Sequence, residues 1–176
     1  MQFILQPFPT TQPLPNIQII GNITRNENKL NLDYTLKGNL AEIDIAPPSD
    51  TASRKDELWQ DTCFEFFLGI KDTPEYWEFN LSPSGDWNVY RFTGYRQGMA
   101  EENALTTLPF TVERRLDSLV ISLDVNLDLI VLPQQAIEVA ITTVIKSKNG
   151  EVSFWALTHR GAVADFHLRD SFAIEL

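Results

Sequence analysis

Short stretches in which apolar and polar residues alternate run through almost the whole chain and restrict what it can fold into. Residues 17–38, IQIIGNITRNENKLNLDYTLKG, contain two such stretches on either side of the turn-forming letters RNENK. Successive side chains of a strand point to opposite faces of a sheet, so this period of two is typical of strands with one buried face. The pattern predicts a hairpin with strands at residues 17–24 and 29–37.

The same pattern continues towards the C-terminus. Three segments, LWQDTCFEFFLG, PEYWEFNLS and DWNVYRFTGYR, are separated by the turn sequences KDTP and PSG and predict a three-strand meander. Further candidate strands lie at residues 110–117, 118–125, 136–147, 151–158 and 171–176, and short helical pieces are expected only at 98–105 and 126–131. Many short strands without a long helical segment predict an all-β fold, a single antiparallel β-sandwich of jelly-roll type or a flattened barrel, with at most short helical turns. The 176 residues suit one domain, 1–176.

Charge and composition narrow the classes of partner. The formal net charge of -10 disfavours nucleic acid and anionic membrane surfaces, because like charges repel at long range. The first fifteen residues lack the pattern of a signal peptide, and no run of apolar residues reaches the ~20 needed to cross a bilayer, so we expect a cytoplasmic protein. The lone Cys63 agrees with a reducing compartment, and its side chain is expected to be buried and unreactive.

Alternation divides the meander into an apolar face and a mixed face. The predicted core face carries Thr62, Phe64, Phe66, Leu68, Trp77, Phe79, Leu81, Tyr90 and Phe92. The other face carries Cys63, Glu65, Phe67, Tyr76, Glu78, Asn80, Ser82, Trp87, Val89, Arg91 and Thr93. The glutamate inside the apolar-looking stretch CFEFFLG is therefore predicted to lie outside the hydrophobic layer.

The register of the meander stays open on sequence grounds. A tight turn would set Glu65 opposite Glu78, whereas a shift by two residues would set it opposite Asn80. Pairing Ser82 with Trp87 would bring Arg91 opposite Glu78. An ordinary solvent-exposed face would also contain Glu, Asn and Arg. Aromatic side chains among hydrogen-bonding groups favour instead a site for a sugar or other polyol, whose C–H faces stack on flat rings.

The segment LWQDTCFEFFLG resembles the strand of family-nine carbohydrate-binding modules, and of the wider DOMON-like β-sandwich group, in which a tryptophan and an acidic residue precede an aliphatic-Glu pair. The segments EFNLSPSGDWNVYRF, GYRQGM and WALTHRGAVADFH are similar to a bacterial branch of that group, and the resemblance extends over residues 30–176. It implies a non-catalytic module that binds a carbohydrate or related polyol on a concave sheet face, with an oligosaccharide or another small molecule as ligand.

The resemblance also implies roles for individual residues. Trp59 matches one of two tryptophans that clamp a terminal sugar, and Glu65 matches the acidic contact. Arg91 would supply the arginine, and Trp155 or Trp87 the second tryptophan. Although some DOMON-like members hold haem, Met99 and the two histidines do not match the axial ligands, so no cofactor is expected.

Two other classes of function stay open. Glu65 and Glu78 could act as the acid and the nucleophile or base of a sugar-active hydrolase or isomerase, because glycosidases need two carboxylates ~5 to 10 Å apart. No nucleophile motif such as G-x-S-x-G or H-E-x-x-H accompanies them. A protein-interaction module, with a protein partner docked on the mixed face, is the second alternative.

Both histidines lie in the segment THRGAVADFHLRD, near Asp165 and Asp170. Their spacing fits no familiar zinc pattern, so no metal site is predicted. We expect His159 to reach the rim of the mixed face and His167 to be structural. The predicted ligand-binding set is Trp59, Glu65, Glu78, Asn80, Trp87, Arg91, Trp155 and His159.

Overall fold

The computed structural model describes residues 1–176 and consists of strands joined by turns and loops. In chain order the strands are β1 (Gln2–Ile4), β2 (Gln6–Pro7), β3 (Ile17–Asn26), β4 (Lys29–Gly38), β5 (Cys63–Ile70), β6 (Tyr76–Leu81), β7 (Trp87–Phe92), β8 (Ala100–Glu101), β9 (Phe110–Arg114), β10 (Ser118–Asn126), β11 (Ile137–Lys146), β12 (Val152–Ala156) and β13 (Ile174–Glu175). The hairpin β3–β4 and the meander β5–β6–β7 lie where alternation predicts them.

These strands form two antiparallel sheets. The smaller sheet has five strands in the order β1-β3-β4-β10-β9. The larger has the order β2-β12-β11-β5-β6-β7-β8, with β13 pairing with β11. The prediction of an antiparallel β-sandwich is confirmed.

Helical structure is limited to three short 3₁₀ turns, at Leu40–Glu42, Leu58–Gln60 and Arg169–Ser171. The helical pieces expected at residues 98–105 and 126–131 are wrong, because those segments form turns, bends and the short strand β8. No helix of the structure is both long enough and apolar enough to span a membrane.

The core lies between the two sheets and is built by the alternating apolar side chains. A cluster of 31 buried hydrophobic residues joins the sheets, and β5 and β6 contribute Phe64, Phe66, Leu68, Trp77, Phe79 and Leu81 to it. The Phe66 and Phe79 rings are stacked, with centroids 4.2 Å apart. Because one face of each strand is used for this core, the other face of β5 and β6 is free to form a site on the outside of the larger sheet.

The predicted faces of β7 are reversed. Leu81 pairs with Trp87, so that Trp87 and Val89 enter the core and Tyr90 and Phe92 lie on the outer face. The loop between β6 and β7 explains this register: the Ser82 N–H donates to the Asp86 carbonyl at 2.9 Å. Trp87 is therefore the first residue of the strand, and a shift by one residue moves every side chain to the opposite face.

Candidate functional site

A pocket of about 340 Å³ lies on the outer face of the larger sheet, within the size range of small-molecule sites. Strands β5, β6, β7, β11 and β12 supply its floor, the 3₁₀ turn Leu58–Gln60 supplies one wall, and the loops after β7 and β12 supply the others. The pocket is lined by Trp59, Glu65, Phe67, Glu78, Phe92, Arg96, Met99, Val144, Phe154, Ala164, Phe166 and His167.

The floor of the pocket is set by the register of β5 and β6. Glu65 pairs with Asn80, and Phe67 pairs with Glu78, so the two acids sit diagonally across neighbouring strands. This is the second of the two registers that the sequence left open. Asn80 lies beside Glu78 and donates from Nδ2 to Glu78 Oε1 at 2.9 Å.

Glu65 is buried, with 2% of its surface exposed. Its Oε1 atom has no hydrogen-bond partner within the protein. Burial, and next the Glu78 carboxylate, raise the pKa of Glu65 well above its ordinary value, although the Cys63 thiol and the Thr142 hydroxyl oppose this. A raised pKa favours the protonated form of the carboxyl group, and in that form the group can donate one hydrogen bond as well as accept.

Glu78 is also buried, but it has partners. Burial raises its pKa to about 7, while the Asn80 hydrogen bond and the Arg96 guanidinium act in the opposite direction. Both carboxyl groups of the pocket therefore keep their protons to a higher pH than an exposed glutamate does. Two titratable groups with pKa values raised by burial in one cleft are typical of functional sites.

A chain of hydrogen bonds orients His167 at the pocket wall. The Arg96 backbone N–H donates to the Tyr76 hydroxyl at 3.1 Å, and that hydroxyl lies 2.8 Å from His167 Nδ1. Since the Tyr76 oxygen already accepts one bond, its hydroxyl group donates to His167 Nδ1, and the ring proton of the histidine is then on Nε2. Nε2 faces Glu78 Oε2 at 3.8 Å. Burial lowers the pKa of His167 to about 4, so the imidazole is neutral.

Arg96 brings a positive charge to the rim, but that charge is already paired. Its Nη2 atom donates to Asp165 Oδ1 at 2.9 Å, and the Tyr95 hydroxyl donates to the other Asp165 oxygen at 2.6 Å. The left-handed backbone of Arg96, with φ of 52°, directs its N–H towards Tyr76. This loop therefore holds the hydrogen-bond chain and a compensated ion pair at the same place.

Aromatic rings form most of the remaining wall. The half-buried Trp59 packs edge-on against Tyr90, with ring centroids 5.5 Å apart. Phe67 packs against Phe166, and Phe166 in turn packs against Phe154. Flat apolar walls next to carboxyl groups suit a ligand that has both C–H faces and polar groups.

The structure brings together only part of the predicted ligand-binding set. Trp59, Glu65 and Glu78 line the pocket, and Asn80 lies directly beneath, bound to Glu78. Their ligand-binding role stays a prediction.

The other four residues of that set lie elsewhere. Trp87 and Trp155 are in the core between the sheets. Arg91 is on the face opposite to the pocket and pairs with Glu75 at 3.0 Å. His159 donates to the Gln6 carbonyl at 2.9 Å and is not part of the pocket lining. The prediction that Trp87, Arg91 and Trp155 share the pocket face is wrong, and for Trp87 and Arg91 the reason is that the register of β7 is shifted by one residue. His159 lies next to the pocket wall, with its ring centroid 6.5 Å from that of Phe166, and its role as a rim contact stays a prediction.

Sequence reasoning missed several lining residues. His167, expected to be structural, lines the pocket, as do Phe92, Arg96, Phe154 and Phe166. Phe92 follows from the correct register of β7. Arg96 and Phe166 lie in loops without periodicity. The only sequence signal for them is that they fall in the segments GYRQGM and WALTHRGAVADFH, which carry the family resemblance.

Metal binding finds no support in the arrangement. No group of three or more His, Cys, Asp or Glu side chains is placed to hold a metal ion. Cys63 is buried beneath the pocket as a free thiol, and burial together with Glu65 raises its pKa well above the ordinary value. Its thiol is therefore not an activated nucleophile or ligand.

A second groove, of about 610 Å³, lies beside Trp87 and is lined in part by Arg54 and Arg114. Both guanidinium groups are already engaged. Arg54 donates to Asn88 Oδ1 and to the Leu105 carbonyl, and Arg114 donates to the carbonyls of Ala46 and Pro83. This groove is larger than the pocket above Glu65 and Glu78. That pocket is nevertheless the better candidate, because it contains the buried Glu65 Oε1 atom, which lacks a hydrogen-bond partner.

The two-sheet fold is similar to that of solved β-sandwich proteins. The chain superposes on a protein from Bacteroides uniformis ATCC 8492 proposed to bind carbohydrate, with a TM-score of 0.69 and 14% identity over 97% of this chain and 84% of the other. It also superposes on a family-nine carbohydrate-binding module from Caldicellulosiruptor kristjanssonii. The glucose complex gives a TM-score of 0.52 and 10% identity over 88% of this chain and 71% of that one. The cellotriose complex gives a TM-score of 0.56 and 12% identity over 92% of this chain and 74% of that one.

No family model and no curated protein sequence matches the chain. The structural similarity, at this level of identity, shows the fold.

Proposed function

We propose that the protein is a binding module for a carbohydrate or related polyol, and that the ligand sits in the pocket above Glu65 and Glu78. The observation that carries the proposal is the buried Glu65 Oε1 atom, which has no partner and lines the pocket. A buried polar atom without a hydrogen bond costs about 1–3 kcal/mol. A ligand hydroxyl at this point would recover that free energy.

The chemistry of the lining supports recognition of hydroxyl groups. Glu65 can donate and accept in the protonated form that its raised pKa favours, Glu78 can accept, and the neutral His167 can donate from Nε2. These groups lie at one side, while the rings of Trp59, Phe67 and Phe166 offer apolar walls for the C–H faces of a sugar. The similarity in fold to the glucose and cellotriose complexes adds support.

The test is isothermal titration calorimetry with a panel of neutral monosaccharides and short oligosaccharides. Trp59→Ala and Glu65→Ala are expected to weaken binding at least about tenfold, because each removes a contact worth about 1.4 kcal/mol or more. Arg91→Ala is the matched control, since Arg91 is exposed on the opposite face. A panel without any saturable heat would refute the proposal, and so would binding that Arg91→Ala weakens as much as Glu65→Ala does.

A second candidate function is a sugar-active hydrolase or isomerase that uses the same acids. It is favoured by one specific observation: burial raises the pKa of Glu78 to about 7, as a general acid or base requires. The test is incubation of each bound sugar with the protein, followed by NMR of the sugar. New anomeric signals that grow with time in the wild type, and do not grow with Glu78→Gln, would establish catalysis. Unchanged NMR spectra of the sugar at saturating protein would exclude catalysis and leave binding as the proposed function.

A further inference from the structure

The acidic and basic groups around the pocket are unequal in number. Two carboxyl groups, Glu65 and Glu78, face it, and the guanidinium at its rim, Arg96, is paired with Asp165 at 2.9 Å. His167 is neutral, since burial lowers its pKa to about 4. The ion pair contributes no net charge, so the pocket has an excess of acidic groups and no free cation beside them.

Burial makes this excess costly for the empty protein. Glu65 and Glu78 are only 2% and 5% exposed, and Glu65 Oε1 is unpartnered. Two close carboxylates in a buried site cannot both ionise without an opposite charge. A neutral hydroxyl could partner Glu65 Oε1 but would leave at least one of the two groups protonated. A cation would allow both groups to ionise and would form charge-assisted hydrogen bonds with them.

The walls match the same ligand. Five aromatic side chains line the pocket, namely Trp59, Phe67, Phe92, Phe154 and Phe166. Aromatic faces attract a cation within about 6 Å of the ring centroid, and the attraction is stronger where the cation is desolvated. A protonated amine therefore fits both the floor and the walls.

We propose that the ligand is an amino sugar with a free, protonated amine, and that its ammonium group lies against Glu65 and Glu78 while the aromatic walls cover the sugar ring. This inference rests on the proposed function and adds the charge of the ligand to it. The carboxyl pair forms the specificity element, and Arg96 and Asp165 form the rim through which the sugar enters.

Such binding is linked to protons. Glu78 has its pKa raised to about 7 by burial, and the groups near the pair are Cys63, Tyr76, His167 and the ion pair of Arg96 with Asp165. Tyr76 and Cys63 stay protonated because burial raises the pKa of each. The ammonium group favours the ionised carboxylates, so the protein releases a proton as the ligand binds, and affinity rises as pH increases towards about 7.

The experiment is calorimetric titration of glucosamine, galactosamine and mannosamine near pH 6.5, where a sugar amine is mostly protonated, as an α-amino group is. Each is compared with its neutral parent sugar and its N-acetyl derivative, and choline serves as a cation without a sugar ring. Titrations in two buffers of different ionisation enthalpy give the number of protons released. The variants are Glu65→Gln and Glu78→Gln, with Glu75→Gln as the matched control because Glu75 lies outside the pocket.

We expect one amino sugar to bind at least about tenfold more tightly than its neutral parent, about 1.4 kcal/mol, with release of a proton. Both pocket variants are expected to lose this preference and Glu75→Gln to retain it, with urea unfolding confirming that each variant is folded. Equal affinity for amino, neutral and N-acetyl sugars would overturn this inference and leave the proposed function standing. Binding of choline alone, or of no compound in the panel, would overturn both.

Discussion

The two titratable groups that face each other across the pocket, Glu78 and His167, should give the stability of the protein opposite dependences on pH. In the folded protein the pKa of Glu78 is raised by burial from 4.5 to about 7. Between these values the folded chain binds more protons than the unfolded chain, so Glu78 makes the protein less stable as pH rises. The pKa of His167 is lowered by burial from 6.5 to about 4. Between those values the unfolded chain binds more protons, so His167 makes the protein more stable as pH rises.

The magnitude follows from one proton for each group. A difference of one bound proton changes the free energy of unfolding by about 1.4 kcal/mol per pH unit, which is about 2 kcal/mol between about pH 5 and about pH 6.5. In the wild type the contributions of Glu78 and His167 cancel over this range. Glu65, with its pKa raised well above the ordinary value, remains and lowers stability as pH rises.

Urea unfolding, followed by the fluorescence of the buried tryptophans Trp77, Trp87 and Trp155, measures this difference. When the pH rises from about 5 to about 6.5, the free energy of unfolding of Glu78→Gln should increase by about 2 kcal/mol relative to that of the wild type. The free energy of unfolding of His167→Gln should decrease by about 2 kcal/mol relative to that of the wild type. The matched control is Glu113→Gln, because Glu113 is exposed and its pKa is lowered by Arg115, outside this pH range. If all three variants show the same pH dependence of the free energy of unfolding as the wild type, the burial of Glu78 and His167 in the pocket is refuted.

Three further predictions concern the fold around the site. Gly21→Ala should lower the free energy of unfolding by about 3 kcal/mol or more, because the added Cβ would lie 1.9 Å from the Asp33 carbonyl oxygen. The control is Gly94→Ala, whose Cβ would have no close neighbour, and it should leave the free energy of unfolding nearly unchanged in the same urea titration. Trp87→Ala should lower the free energy of unfolding by about 3–5 kcal/mol, because it leaves a cavity in the core. Trp87→Phe should leave the affinity for any sugar, measured by calorimetry, unchanged. A tenfold loss of affinity in Trp87→Phe would contradict the position of Trp87 in the core. The Cys63 thiol should react with a thiol reagent only after unfolding, and rapid labelling of the native protein would contradict its burial.

The sandwich and the floor of the pocket could be predicted from sequence because alternation is unambiguous in β5 and β6. In β5 the residues on one side, Phe64, Phe66 and Leu68, are all apolar, and Glu65 on the other side marks the second face. A carboxylate between two phenylalanines can belong only to a different face of the same strand.

The faces of β7 could not be predicted in this way because both are largely apolar. Trp87 and Val89 are as suitable for a core as Tyr90 and Phe92, so only the length of the loop before the strand decides. That loop is held by the Ser82 N–H and by Asp86, whose carboxylate accepts from the hydroxyl of Ser84. Local sequence does not distinguish it from a loop shorter by one residue.

The walls of the pocket were beyond prediction for a different reason. His167 meets Tyr76 across 91 residues of chain, and Arg96 meets Asp165 across 69. Both partners of the second pair lie in loops, where no periodicity indicates which side chains turn inwards. Such contacts depend on the whole sheet being assembled first.

The carboxyl pair itself argues that the pocket has a purpose other than stability. If Glu65 were there to hold the fold, its Oε1 atom would have a partner within the protein, and it has none. Replacing a buried acid by an amide or an apolar side chain of similar size is often neutral or stabilising, so a chain selected only to fold would gain by losing the acid. The buried carboxyl pair lowers the stability of the protein, and the core of 31 residues between the two sheets compensates for this loss. In the proposed function, this unpartnered acid on a rigid sheet is one half of a contact, and the ligand supplies the other half.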